Sequence, residues 1–164
     1  MSHNGAWCKL LSGVLVVVLG VLSTTPDLWL NLGSLTLTKG VVHGESASCL
    51  GDSTFLSQAD RFLSHAAVRD KDAYVLLAEV YLWQGLLFQM EQAVQNSSRT
   101  LPYFIEHANM DQKKGHDVCA LRRYEALIQV APDSSLPWYY MGNTFASQQR
   151  YALAQAAYDE AITR

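Results

Sequence analysis

The chain has 164 residues, of which 49% are hydrophobic and 16% charged, and its formal net charge at pH 7 is −3. This length supports one domain with a hydrophobic core, and the high apolar content exceeds that of an average soluble domain. With 12 basic and 15 acidic residues and no Lys/Arg-rich run, the sequence excludes the basic stripe that nucleic-acid binding requires.

The first predicted element is a hydrophobic segment within residues 1–25. Leu10 to Leu22 carries no charge, and Lys9 is the only charged side chain in residues 1–25. The apolar run is shorter than the roughly 20 residues that span a bilayer and also fits a signal-peptide core. Because Trp7 and Trp29 flank it as interface anchors do, we favour an uncleaved signal anchor over a cleaved signal. Either interpretation places the N-terminus inside and the rest of the chain outside the cytoplasm.

The three cysteines lie in different parts of the sequence. Cys8 precedes the apolar core, whereas a bacterial lipoprotein has its modified cysteine after the core, so we expect a membrane-embedded thiol there. Cys49 and Cys119 lie in the part that is predicted to be exported, where an oxidising compartment permits a disulfide. Since their spacing matches no disulfide framework, we favour two unpaired cysteines over a pair.

The first predicted pair of helices follows the hydrophobic segment. Its first helix begins with Pro26 to Gly33, and its second carries Ala59, Leu63 and Ala66 on one face. Between them, the Gly/Ser-rich stretch from Gly40 to Ser53 predicts a long loop.

The second pair begins with large residues around a small one. Tyr74, Leu77 and Tyr81 surround Ala78 at helical spacing, and Gly85 is expected to end this helix. A second helix is predicted over about residues 86–98.

The third pair is regular only in its second half. Its first helix, near Pro102 to Gln112, has His107 and Asp111 at positions where apolar packing residues are expected. Its second helix is Cys119 to Val130.

The fourth pair, from Leu136 to Ile162, is the most regular part of the chain. Seven residues of matched size stand at offsets 0, 3, 4, 7, 16, 20 and 23, namely Trp138, Met141, Gly142, Phe145, Ala154, Tyr158 and Ala161. The large residues fill a helix face, and the small residues allow two helices to approach closely. Ala120, Tyr124 and Leu127 repeat the last three positions 34 residues earlier.

This spacing resembles the tetratricopeptide repeat (TPR), an antiparallel helix pair that buries its apolar side by stacking on copies of itself. The resemblance implies an all-α fold, a right-handed α–α superhelix preceded by one hydrophobic N-terminal helix. Residues 1–25 would then be the signal anchor or transmembrane segment, and residues 26–164 a TPR-like domain of about four hairpins with a long loop near 40–53.

The family binds other proteins, and the first helices of its hairpins line the binding groove. Carried over by position, the resemblance implies groove residues at Val75, Glu79, Leu82, Tyr139 and Asn143. The basic residues with which some TPR grooves hold the C-terminal tails of chaperones are replaced here by Val75 and Tyr139. We therefore expect a different protein or peptide partner.

The sequence contains little that indicates a catalytic or metal-binding site. The five histidines lack the spacing of metal ligands, and there is no phosphate-binding loop or nucleophile elbow. We expect no catalytic residues, no cofactor, no metal and no small-molecule substrate.

The sequence therefore favours a non-catalytic, membrane-attached scaffold that mediates protein–protein interaction outside the cytoplasm. Two alternatives stay open: an accessory or assembly subunit of an envelope or secretion membrane complex, and a cleaved, secreted or periplasmic TPR protein. The hypothesis that the protein is an enzyme is the least favoured.

Overall fold

The computed structural model describes residues 26–43 and 52–164, and within these ranges all regular structure is helical. The eight helices are α1 (Pro26–His43), α2 (Ser53–Ala67), α3 (Ala73–Gln84), α4 (Leu87–Asn96), α5 (Thr100–Lys113), α6 (Asp117–Val130), α7 (Ser135–Ser147) and α8 (Tyr151–Thr163). The described part contains no strand, which confirms the all-α prediction.

Two sequence predictions lie wholly or partly outside these ranges. The hydrophobic segment of residues 1–25 is outside them, and so is most of the predicted loop. At the edges of that loop, α1 continues to His43, so residues 40–43 are helical rather than loop. Among the helices of the two described ranges, none has both the length and the hydropathy of a membrane span.

The helices pack in pairs along the chain. The pairs are α1 with α2, α3 with α4, α5 with α6, and α7 with α8, and the first helix of each pair also contacts the first helix of the next. Because each pair packs mainly on its sequence neighbours, the architecture is repeat-like and fits an α-solenoid.

Two glycines lie where paired helices approach each other closely. A Cβ atom added to Gly33 on α1 would lie 2.5 Å from the side chain of Leu63 on α2, and one added to Gly142 on α7 would lie 2.5 Å from the Tyr158 ring on α8. Both contacts join a small residue of the first helix to a large residue of the second. The pattern of residue sizes in the sequence thus corresponds to direct contacts between helices.

The apolar faces of the pairs merge into two clusters. The larger includes buried side chains from α1 to α6, with Leu56, Leu63, Met90 and Phe104 fully enclosed. The smaller joins the third and fourth pairs around Tyr124. The core is therefore distributed along the array, as expected where no pair can bury its apolar side alone.

One cysteine prediction is wrong. Cys119, near the start of α6, is disulfide-bonded, whereas the sequence favoured an unpaired thiol. The other two cysteines of the chain, Cys8 and Cys49, lie outside the described residues. The lack of a recognisable cysteine framework did not exclude a bond, because pairing depends on the distance between two cysteines in the fold.

Candidate protein-binding groove

A cavity of about 410 Å³ opens between the first helices of the first three pairs. Its apolar lining consists of Leu30 on α1, Val75 and Leu76 on α3, and Pro102 and Tyr103 on α5. Polar side chains of Asp72, Ser98, Arg99 and Glu106 complete the wall. Apolar residues with a few polar groups are the usual lining of a site that binds another molecule.

A second cavity of about 610 Å³ continues along α5 towards α7. It is lined by Leu101, Ile105, Asn109, Met110 and Lys113 on α5, and by Leu136 and Tyr140 on α7. Pro102 and Glu106 line both cavities. The two cavities are therefore adjacent, and together they are called the groove below.

The groove is built from one set of helices. Its lining side chains come from α1, α3, α5 and α7, together with residues of the turns that precede α3 and α5. The second helices of the pairs, α2, α4, α6 and α8, contribute no lining residue to either cavity. The groove thus follows the direction in which the pairs are stacked.

The five groove residues predicted from the sequence have different environments. Val75 lines the first cavity, whereas Leu82 is buried in the larger apolar cluster and the Glu79 carboxylate is buried in an ion pair. Tyr139 is half-exposed outside the lining of both cavities, and Asn143 accepts a 2.7 Å hydrogen bond from the Tyr158 hydroxyl. A binding role for these five residues stays a prediction.

A buried ionic network lies beside the groove. The Arg123 guanidinium on α6 donates to both oxygens of Glu79 on α3, at 2.6 and 2.8 Å, and through Nε to Asp111 on α5 at 2.9 Å. The Trp83 indole N–H donates to Glu79 at 2.7 Å. Since Glu79 and Arg123 are each only 3% exposed, these bonds replace the water that both charges lose.

Two aromatic rings lie close to the guanidinium. The Arg123 Cζ atom lies 5.0 Å from the centre of the Trp83 ring and 5.8 Å from that of Phe104. Such distances allow cation–π attraction, which is stronger where water is excluded. Arg123 therefore joins α6 to α3 and α5 through both polar and aromatic contacts.

The network changes the proton affinity of its members. Burial alone would raise the pKa of Glu79, but the charge and hydrogen bonds of Arg123 outweigh burial and lower it. The pKa of Arg123 is raised, because the attraction of Glu79 and Asp111 exceeds the effect of desolvation. Both groups are thus held in their charged forms, as a structural ion pair requires.

Two further titratable residues connect the network to the groove. The rings of Tyr103 and His107 on α5 stack with their centres 4.0 Å apart, and Tyr103 lines the first cavity. Burial, reinforced by the negative charge of Glu79, raises the pKa of Tyr103. Burial lowers the pKa of His107, so its neutral form is favoured.

In the sequence, this network was visible only as a departure from the repeat pattern. His107 and Asp111 stood where apolar residues were expected, and the structure shows that Asp111 and His107 lie beside a buried cation from the following helix. Arg123 itself gave no signal, because an arginine in an amphipathic helix is normally exposed. Among the described residues, no group of three His, Cys, Asp or Glu side chains is placed to hold a metal ion.

Comparisons with known proteins add no family to these observations. No protein-family model matches the chain, and no curated protein is significantly similar to it. No relative's activity is therefore carried over to this chain.

Proposed function

We propose that the chain is a TPR-like scaffold that binds a protein partner in the groove and carries out no catalysis. In this proposal the hairpins form a right-handed superhelix, and the groove is its inner wall. The observation that carries the proposal is that both cavities are lined from the first helices of successive pairs. A wall assembled in this way extends over several repeats and suits a peptide or helix better than a compact small molecule.

We place the scaffold at a membrane, outside the cytoplasm. The uncharged stretch from Leu10 to Leu22 supports attachment or export. The disulfide at Cys119 supports an oxidising compartment, since structural disulfides are rare where cytosolic reductants act. Attachment by residues 1–25 would raise the concentration of the groove near other membrane proteins.

Affinity purification from native membranes tests this function with a matched pair of variants. Leu136 lines the groove and is 48% exposed, whereas Leu153 on α8 is 43% exposed and lines neither cavity. We expect L136E to lose a partner that the wild type and L153E retain, because a carboxylate in an apolar contact surface loses its water on binding. Equal retention by all three proteins would exclude the groove as the binding surface.

The membrane attachment needs a separate measurement. A protein that carbonate leaves in the membrane fraction, with its sequence still beginning before residue 10, would agree with an anchor. A protein that carbonate releases, and that begins near Thr24, would replace the anchor with a cleaved signal.

A further inference from the structure

The charges of the groove have a defined order. Four charged residues line the two cavities: Asp72, Arg99, Glu106 and Lys113. Arg99 forms an ion pair with Asp72, so each of these two charges already has a partner within the chain. Glu106 and Lys113 have no ion pair with any residue of ranges 26–43 and 52–164. The groove therefore offers one carboxylate and one ammonium group for contact with a ligand.

Glu106 has a central position in the groove. It is exposed and lines both cavities, so the residue lies at their junction. Apolar side chains flank it on both sides, with Val75 and Leu76 in the first cavity and Met110 and Leu136 in the second. A ligand that fills both cavities must pass this residue.

Lys113 lies further along the same helix. It is seven residues after Glu106 on α5, which places the two Cα atoms about 10 Å apart on nearly the same face. This separation is too long for the two side chains to neutralise each other closely. It corresponds to about three residues of an extended peptide.

From this order we infer that the partner segment is an apolar peptide with a basic residue at its centre and an acidic residue about three positions away on one side. The apolar residues occupy the two cavities, the basic side chain pairs with Glu106, and the acidic side chain pairs with Lys113. The ring of Tyr103, one helical turn before Glu106 and in the same cavity, provides a surface for the aliphatic part of a lysine or the plane of an arginine. This inference rests on the proposed function of the groove.

The opposite charge order is disfavoured by the same residues. An acidic side chain at the junction of the cavities would meet Glu106 and would also lose water on entering an apolar groove. Repulsion of this kind contributes specificity in addition to the attraction of the correct partner.

Selection from a phage-displayed library of short random peptides tests the inference on the full chain in detergent. We expect the wild-type protein to enrich peptides with Lys or Arg between apolar residues and with Asp or Glu on one side of it. The doubly substituted E106K/K113E protein keeps the net charge of the chain but reverses the charge order of the groove. We expect it to enrich peptides with the opposite order.

Titration of one enriched peptide makes the comparison quantitative. We expect E106Q to raise Kd about fivefold, as for loss of one partly exposed ion pair, and E106K/K113E to raise it more than tenfold. Circular dichroism and thermal unfolding of each variant establish that the fold is retained. Both substituted side chains are exposed, so a folded protein is expected.

The outcomes separate this inference from the proposed function. If the selected peptides lack a basic residue, or if the charge-reversed protein selects the same peptides, the inference is overturned. Should L136E abolish the binding of those peptides, the groove is still the binding site. Peptides that bind L136E and wild type equally would overturn both.

Two further results also contradict the inference. One is the absence of any enriched peptide. The other is a dimer in sedimentation experiments that L136E dissociates, because a second copy of the chain would then occupy the groove.

Discussion

Glu79 on α3 and Arg123 on α6 form a bidentate ion pair inside the core, although they are 44 residues apart in the sequence. Arg123 also binds Asp111 on α5. The ion pair therefore connects the second pair of helices to the third. It lies where polar residues replace the apolar packing residues that the repeat pattern leads one to expect. It holds α3 and α5, which both line the groove, in a fixed relation.

Removal of Arg123 tests this connection. We expect R123M to lower the free energy of unfolding by about 3–5 kcal/mol, because the Glu79 charge is left buried without its partner. Urea denaturation would measure the loss. The exposed pair Arg99–Asp72 is the control, and R99M should cost less than about 1 kcal/mol.

A double substitution distinguishes a buried charge from a simple loss of packing. We expect E79L/R123M to regain part of the stability that R123M loses, since neither charge is then buried alone. If R123M costs no more than R99M, the ion pair does not hold the two pairs of helices together.

The close approach of α7 and α8 leads to a second prediction. G142A should lower the free energy of unfolding by about 1–3 kcal/mol, because the added methyl group overlaps the Tyr158 ring. In the Y158A background the same change should stabilise the protein by up to about 1 kcal/mol, since alanine favours a helix more than glycine does. An equal loss in both backgrounds would show that the ring is not the obstacle.

The network also predicts how stability depends on pH. The pKa of His107 is lowered below its ordinary value of 6.5 in the folded state, so the unfolded chain takes up a proton at a higher pH than the folded chain. The free energy of unfolding should therefore fall as the pH decreases through 6.5, where the unfolded chain takes up this proton. The pKa of Glu79 is also lowered, from 4.5, and its contribution should be lost at still lower pH.

The variant H107Q isolates the histidine contribution. Urea denaturation at several pH values should show a smaller decrease in the free energy of unfolding as the pH falls through 6.5 than in the wild type, because the unfolded chain loses one proton-binding group. The decrease below the ordinary pKa of Glu79 should remain. An unchanged profile in H107Q would exclude His107 as the group responsible.

The disulfide gives a prediction that needs no substitution. The chain has three cysteines, and a disulfide that includes Cys119 uses two of them. The purified protein, denatured without a reductant, should therefore contain one free thiol, and three after reduction. Three free thiols before reduction, in protein isolated from its own membranes, would contradict the bond and the oxidising compartment proposed from it.

The sequence predicts contacts within a pair of helices better than contacts between pairs. Gly142 and Tyr158 lie in one hairpin, and their relative position follows from helix periodicity and a short turn. The environment of Glu79 depends instead on α3, α5 and α6 together. Its position on the first helix suggested a groove residue, but Arg123 from a later hairpin binds its carboxylate in the core. The periodicity of one helix contains no information about that partner.

The groove itself was partly predictable. The resemblance to stacked repeats predicted a groove on the first helices. Val75 lines the first cavity, and its role in binding stays a prediction. Its main wall is α5, with Pro102, Tyr103, Glu106 and Met110. Polar residues on α5 interrupt the repeat pattern there. The groove residues predicted from the sequence therefore lie in the second and fourth pairs of helices.

Site-specific photo-crosslinking in native membranes tests the central claim that the groove binds a protein partner. A photoreactive amino acid would replace Met110 in the groove or Leu153 outside it; both side chains are partly exposed. We expect crosslinks from position 110 to one protein identified by mass spectrometry, their loss in L136E, and none from position 153. Crosslinks from position 153 but not from position 110 would contradict the account.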